Sequence, residues 1–300
     1  MRIAILTLRA LPRFITREVA NVDEFFADDR RLIAEFDRFG VSAEAVSWGD
    51  PDVDWNSYDI AIIRSTWDYI DARDEFLAVL KRIEASSCRL INPLDTVRWN
   101  SDKVYLTELY AQGIPTVPTY RAGLSHPFDL HRLLAEHGWD DAVIKPRVGA
   151  AGFGVRRVSL GELRSELQEL RAAGVAKDFI VQPLIETIRE EGEWSFIFID
   201  GRFSHLVRKR PAAGDYRINT TYGGTDEVAT PRPDHLAEAG AIMARIDFRH
   251  LYARLDLVRI GADMVIMEVE LIEPFLYFDH APESVARFVD AVLRPPSTDA

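Results

Sequence analysis

The side chains best suited to chemistry are concentrated between Ala253 and Glu273, in the stretch ARLDLVRIGADMVIMEVELIE. It reads as two apolar strands joined by a tight turn at Gly261-Ala262-Asp263, with acids where such strands usually carry Val or Ile. Folding about Ala262 sets Asp256 opposite Glu268 and Arg254 opposite Glu270, because each pair is equidistant from that residue. Residues two apart on a strand share a face, so all four side chains point the same way. Three carboxylates gathered on one face repel each other and are costly to desolvate. A divalent cation, which prefers oxygen ligands, is the simplest reason to collect them. An ordinary Arg254–Glu270 ion pair on a solvated sheet face explains the same pattern, and the hairpin alone leaves the two readings level.

Other candidates lie upstream. Lys145 ends the apolar run AVIK and precedes a glycine-rich turn, Gly149, Ala150, Ala151, Gly152, Phe153 and Gly154, followed by VRRVS. This loop joins strand to strand, so it is neither of the phosphate loops that open a helix. A glycine hairpin can still fold over a polyphosphate and offer it backbone N–H groups, although most such hairpins are plain turns. Lys103 falls on the first turn of a helix expected over about 100–111, where a lysine is by default a solvated charge. Arg208, Lys209, Arg210 and Arg217 form a basic loop in an acidic chain, suited to a phosphate or carboxylate, though charge runs are more often simply solvated. Arg64, Ser65, Thr66, Trp67, Asp68 and Tyr69 follow an apolar strand. Helix capping by Thr66 or Asp68 is the plainer account of that segment, and substrate binding is compatible with it.

The elements that must position these residues alternate strand and helix over the first part of the chain: strand 2–8, helix around DDRRLIAEFDRFG, strands SAEAVSW and YDIAIIR, helix DEFLAVLKRIEA, strand CRLINP. This predicts an open parallel α/β sheet ending near Leu94, with ligands bound beyond the carboxyl ends of its strands, where RSTWDY stands. The later chain is richer in hairpins and predicts α+β structure: strands around Lys145, in KDFIVQPLIE and in EGEWSFIFIDGRFSHLV, then the acid hairpin and a last helix. The expected division is 1–94, 95–186 and 187–294, with a frayed tail over 295–300.

Composition narrows the class. A chain of 300 residues with 47% hydrophobic and 28% charged residues suits a soluble globular protein of two or three domains. Its net charge of -12 argues against general binding to nucleic acid or an anionic membrane, while allowing a local basic pocket. The single cysteine, Cys88, has no partner for an internal disulfide and is expected in a core. No apolar run is long enough to span a bilayer, and Arg9 interrupts the only stretch that resembles a signal peptide. A cytoplasmic protein is the expectation. No convincing Ser/His or Cys/His set for nucleophilic catalysis is present.

In order along the chain stand a lysine, a strand-ending lysine with a glycine hairpin, QPLI, GEWSF, a basic loop, and an Asp with a later Glu-x-Glu. This combination resembles the ATP-grasp superfamily over about residues 95–278. RSTWDY, KRPAAGDYR and EVELIEPFLYF further resemble its branch of glutathione-synthetase-like ligases and the cyclase that closes the ring of cycloserine. The resemblance implies an ATP-grasp architecture: an N-terminal α/β substrate domain, a central lid and a C-terminal catalytic domain built on an antiparallel sheet. It implies that Lys103 and Lys145 contact nucleotide phosphates under the 149–154 loop. Gln182 and the backbone of Leu184 and Ile185 would hold adenine, and Glu193 the ribose. Asp256, Glu268 and Glu270 would coordinate two Mg²⁺ ions, with Mn²⁺ as a substitute. Arg254, pointing at the transferred phosphate with its Glu270 pair secondary, would act with Arg217 and Lys209 on the transferring group. Arg64 to Tyr69 would meet a small amino-acid-like substrate. Many relatives have Asn at the position of Glu270, and a serine where Ala150 and Ala151 stand. The implied reaction is ATP-dependent joining of a small-molecule carboxylate to an amine through an acyl phosphate, or ring closure within one molecule. A kinase-like phosphotransferase and a non-catalytic nucleotide-binding protein are the alternatives. A homodimer is the family-level expectation.

Overall fold

Three sheets organise the chain, and the computed structural model describes residues 1–11, 26–123, 127–172 and 178–295 of it. The tail expected over 295–300 lies, beyond its first residue, outside that description. The first sheet contains β1 (Arg2–Thr7), β2 (Ser42–Ser47), β3 (Ile60–Ser65) and β4 (Arg89–Ile91), all parallel, in the order β2-β1-β3-β4. Helices α1 (Ala27–Arg38) and α2 (Arg73–Glu84) accompany it. Strands β1 and β3 are apolar runs because both faces are covered: Ile3 to Leu6 and Ala61 to Ile63 are fully buried.

Where one helix is expected over 100–111, two meet at a corner, α3 (Leu94–Asn100) and α4 (Tyr105–Ala111). The Val104 N–H turns to the Asp102 carboxylate at 3.1 Å, and the Lys103 N–H donates to the Arg147 carbonyl at 2.8 Å. These bonds compete with helix continuation, so Lys103 sits in the break and not on a first turn. The second sheet is antiparallel, in the order β5-β8-β6-β7: β5 (Tyr120–Gly123), β6 (Asp141–Pro146), β7 (Arg156–Ser159) and β8 (Asp178–Pro183). With α5 (Pro127–His137) and α6 (Leu163–Ala172) it has its own core of Leu130, Leu134, Ile144, Val158 and Phe179.

The third sheet is antiparallel: β9 (Glu193–Ile199), β10 (Arg202–Arg210), β11 (Thr225–Ala229), β12 (Tyr252–Ile260) and β13 (Asp263–Glu270), in the order β11-β10-β9-β12-β13. Helix α7 (Thr187–Glu191) leads into it, and α8 (Pro233–Met243) and α9 (Glu283–Leu293) follow β11 and β13. One face carries Phe196, Phe198, Leu206, Leu255, Leu257 and Val269, which pack with Leu106 and Leu109 of α4 and Ile242 of α8. The span expected as a lid, 95–186, is thus divided in its packing, α4 joining the third sheet and β5–β8 forming a separate core. On the other face, Ile197, Ile199, Val207 and Tyr252 share a core with β1, α1 and α9. At its far end Val258, Val265 and Met267 meet Val117 and Ile188. Between these apolar ends the face is polar. Among the described residues no helix is long and apolar enough to cross a membrane.

Candidate active site

Strand alternation builds the polar middle of the third sheet. Lys209 pairs in register with Glu193, Asp256 with both Ser195 and Glu268, and Arg254 with Glu270. Side chains at matched positions point to one face, so residues from β9, β10, β12 and β13 converge on the floor of a cavity of about 500 Å³. Lys103, Lys145, Gln182 and the glycine loop enclose it from the second sheet and the α3–α4 corner.

The acids are held by cations and not by one another. Lys103 Nζ donates to the Glu268 carboxylate, and Lys209 Nζ lies 2.6 Å from Glu193 and 3.2 Å from Asp256. The Arg254 guanidinium grips Asp256 at 3.0 Å and also donates to Glu270. The Arg254–Glu270 pair, expected to be secondary, is therefore a principal contact. Among the described residues, no three carboxylates, imidazoles or thiols already stand as an ion cage. Burial penalises Asp256, but Arg254 and Lys209 outweigh it and keep the carboxyl ionised. Burial also opposes the Glu268 charge, yet Lys103 and Lys145 hold its pKa below the usual value. Glu270 is pushed up to about 7 by burial, which Arg254 only partly offsets. Lys145, deep in the cavity with Met267 Sδ at 3.1 Å, is lowered by burial and by the Lys103 charge.

The opposite end presents a buried acceptor. Gln182 Nε2 donates to Thr119 Oγ1 at 2.9 Å, and that hydroxyl itself donates to the Val117 carbonyl at 2.6 Å. The pairing fixes the amide orientation and leaves Gln182 Oε1 a buried acceptor with no hydrogen-bond partner among the described residues. Ile185 and Leu184 line the same end, although the Leu184 N–H is engaged by the Asp141 carbonyl at 3.3 Å. Glu193, expected on a ribose, lines the cavity and is paired there with Lys209. Gly149, Ala150, Ala151, Gly152 and Phe153 line the cavity, while Gly154 turns the chain behind it with φ 74°. Gly152 lies so close to the next loop that a Cβ would stand 2.6 Å from Asn219 Oδ1.

The basic loop is not a cluster. Strand β10 runs to Arg210, so successive residues face opposite sides: Lys209 enters the cavity, while Arg208 donates to the Glu191 carbonyl at 2.5 Å and covers Trp194. Arg210 faces Glu227 at 3.7 Å. Arg217 reaches the cavity wall with its guanidinium 3.7 Å from the Tyr222 ring centroid and bound to Asp215, whose pKa falls to about 2 on account of that hydrogen bond.

The segment after β3 is divided as well. Trp67 and Tyr69 line the cavity, Trp67 stacking on Phe275. Arg64, Ser65, Thr66 and Asp68 are buried behind that wall. Arg64 donates to the Pro274 carbonyl at 2.8 Å, and Ser65 bonds Asp29. Asp68 accepts from Trp48 Nε1 at 2.7 Å and from the Arg9 N–H at 3.0 Å. Neither Thr66 nor Asp68 caps a helix by a side-chain bond. Sequence reasoning missed Asp28, Arg31, Glu273 and Tyr277, which line the same cavity. Glu273 is pushed up to about 8 by burial and by Glu270. Tyr277 is held at φ 51°, a costly backbone conformation for a bulky residue. It also missed Ser195, whose hydroxyl donates to Asp256 at 2.5 Å; its period-two spacing from Glu193 was the available signal.

Comparisons with known proteins agree with this geometry. Residues 3–92 match the family model of the D-cycloserine synthetase DcsG N-terminal domain, and residues 109–273 match that of the prokaryotic glutathione synthetase ATP-grasp domain. The cycloserine biosynthesis protein DcsG of Streptomyces lavendulae is 32% identical over 270 residues, 84% of this chain and 88% of that one. A glutathione synthetase of Ralstonia nicotianae is 26% identical over 247 residues, 79% and 68% of the two chains. The crystal structure of D-cycloserine synthetase DcsG superposes with a TM-score of 0.81 at 26% identity, covering 97% and 98% of the chains. A D-alanine–D-alanine ligase from Bacillus anthracis, complexed with ATP, shares the fold at a TM-score of 0.71 and 16% identity over 97% and 96%. Three sheets around one lysine- and acid-lined cavity, with these matches, establish that the chain belongs to the ATP-grasp family of ATP-dependent carboxylate–amine ligases.

Proposed function

We propose that this ligase activates the carboxylate of a small amino-acid-like substrate as an acyl phosphate and closes a ring by attack of a nitrogen within the same molecule. The observation that carries the activation step is the floor of the cavity: Lys103, Lys145, Lys209 and Arg254 face Asp256, Glu268 and Glu270 across one sheet face. A carboxylate is a poor electrophile. Its oxygen attacks the γ-phosphorus of ATP, the bond to the β-phosphate oxygen breaks, and ADP leaves. Nitrogen then attacks the acyl carbon, the bond to phosphate breaks, and the nitrogen gives up a proton. Both steps need positioning and charge neutralisation more than a protein nucleophile. Lys103 and Lys145 meet phosphate, and Arg254 and Arg217 face the transferring group. Gln182 Oε1 accepts from the adenine amine.

The donor chemistry fits Mg²⁺. Asp256, Glu268 and Glu270 offer hard oxygen ligands, and we expect two ions there to neutralise phosphate charge. Trp67, Tyr69, Asp28, Arg31 and Glu273 combine an aromatic wall with both charge signs, which suits a zwitterion. Ring closure is favoured by the N-terminal match to the D-cycloserine synthetase domain, since that part of the chain supplies the wall beside the acids. The test offers candidate amino acids singly, with ATP and Mg²⁺. Ring closure predicts a product lighter than its one substrate by the elements of water, with no second amine supplied. Hydroxylamine should divert the acyl phosphate to a hydroxamate. A stable phosphorylated product would instead show a kinase, and turnover that demands a separate amine would replace cyclisation by ligation.

A further inference from the structure

Strand β13 is the edge of the third sheet, and it carries Glu268 and Glu270. An edge strand leaves a row of backbone N–H and C=O groups in need of partners. Here the outer side is occupied. Ile266 exchanges two bonds of 2.9 Å with Pro115 and Val117. Farther along, side chains replace a strand. The Val269 N–H donates to the Tyr105 hydroxyl at 2.9 Å, and that hydroxyl donates to the Val269 carbonyl at 2.9 Å. Asn100 Nδ2 donates to the same carbonyl at 2.8 Å, and Asn100 Oδ1 accepts the Leu271 N–H at 2.8 Å. Every bond is chemically consistent: the hydroxyl gives one proton and accepts one, and the carbonyl uses both lone pairs. Both side chains are buried, so these bonds do not compete with bulk water.

Val269 lies between the two acids. Fixing its N–H and C=O fixes the peptide planes from which Glu268 and Glu270 project. The same α3–α4 corner that presents Asn100 and Tyr105 also presents Lys103, which pairs with the Glu268 carboxylate. Asp102 of that corner binds Arg147 at 3.0 Å, at the root of the glycine loop.

We propose that Asn100 and Tyr105 are positioning residues, a two-side-chain substitute for a sixth strand that sets Glu268 and Glu270 for the metal–phosphate end of the site. The proposal rests on the reading of those acids as Mg²⁺ ligands. The decisive variant is Tyr105→Phe, which removes one hydroxyl and keeps the ring packed on Trp99. ADP binding to the full-length protein is measured by calorimetry with Mg²⁺ and again with a chelator, alongside amide hydrogen exchange. Exchange at Val269 should accelerate. The gain in ADP affinity that Mg²⁺ confers should fall by about 10- to 100-fold, the usual effect of losing a group that orients a metal ligand. Affinity for metal-free ADP should stay within about twofold, since the adenine end is untouched. Asn100→Ser should act in the same direction, with the faster exchange at Leu271, and serves if Tyr105→Phe does not fold. Faster exchange with an unchanged Mg²⁺ gain would make the two residues merely structural and overturn the proposal. Unchanged exchange would show that the bonds do not hold the strand. Failure of the wild type to bind ADP more tightly with Mg²⁺ would instead overturn the metal reading.

Discussion

Replacing Lys209 with methionine should cost the fold about 3–5 kcal/mol, the usual result of breaking a buried ion pair from one side. Its ammonium lies 2.6 Å from Glu193 and 3.2 Å from Asp256, and the three side chains are 8%, 5% and 3% exposed. Asp256 would keep Arg254 at 3.0 Å and Ser195 at 2.5 Å. Glu193 would keep no ion pair among the described residues within 4.0 Å. It therefore carries most of the cost, while methionine fills the volume of the lost stem. Burial already raises the Glu193 pKa, and losing Lys209 raises it further. An acid whose folded pKa is raised is penalised above that pKa and relieved below it, so the damage should shrink as pH falls. Glu193→Leu alone leaves Lys209 with Asp256 and should cost less. The double variant Lys209→Met/Glu193→Leu should be milder than the sum of the single changes by about 2 kcal/mol or more. Urea unfolding at two pH values measures all three. A single-variant cost below about 1 kcal/mol, the level of an exposed pair, together with strict additivity would refute the buried network.

Asp29 is raised to about 6 chiefly by burial, with Arg64 opposing. Its charge destabilises the fold above pH 6, so between pH 7 and 4 the wild type should gain roughly 2–3 kcal/mol relative to Asp29→Asn; parallel stability profiles would contradict this. Asn92, at φ 58°, donates to the Tyr252 and Leu271 carbonyls at 3.0 and 2.7 Å and accepts the Leu251 N–H at 2.7 Å. Asn92→Ala should lose about 3 kcal/mol, near 1 per bond, and a thermal midpoint equal to wild type would show the junction to be held otherwise. Gly152→Ala places a Cβ at φ 72° beside Asn219 and should weaken ATP binding by about tenfold, the equivalent of 1–2 kcal/mol of backbone strain. Calorimetry with an unchanged dissociation constant would disprove a tight fit there.

The features legible in the sequence are those set by local pattern. Alternating strands and helices gave the parallel sheet, and period-two spacing placed Arg254, Asp256, Glu268 and Glu270 on one face. What failed depends on partners far along the chain. Arg64 stands at the expected carboxyl end of β3, but its guanidinium is taken by the carbonyl of Pro274, 210 residues away. Arg208 to Arg210 read as a loop because the strand they extend is held by pairing with β9 on one side and β11 on the other, and not by any local pattern. The helix over 100–111 breaks because Asp102 and Lys103 bind Arg147, which no local propensity registers.

The acid hairpin itself was read correctly for an incomplete reason. The turn is not three residues centred on Ala262: Ile260 pairs with Asp263, so Gly261 and Ala262 alone connect the strands, with Gly261 at φ 63°. A regular ladder from that turn would set Met267 opposite Asp256 and put Glu268 and Glu270 on the core face, since one residue of slip exchanges the faces. A β-bulge corrects it. Leu257 pairs with Ile266 and Asp256 with Glu268, leaving Met267 as the extra residue. Met267 then turns into the cavity against Lys145. Deleting Met267 should leave a regular hairpin with both acids still on the cavity face, at a cost of about 2–3 kcal/mol for its buried side chain. Backbone amide contacts by NMR would report the register. A deletion that moved Glu268 away from Asp256 would show that the register is set elsewhere than by the turn and this bulge.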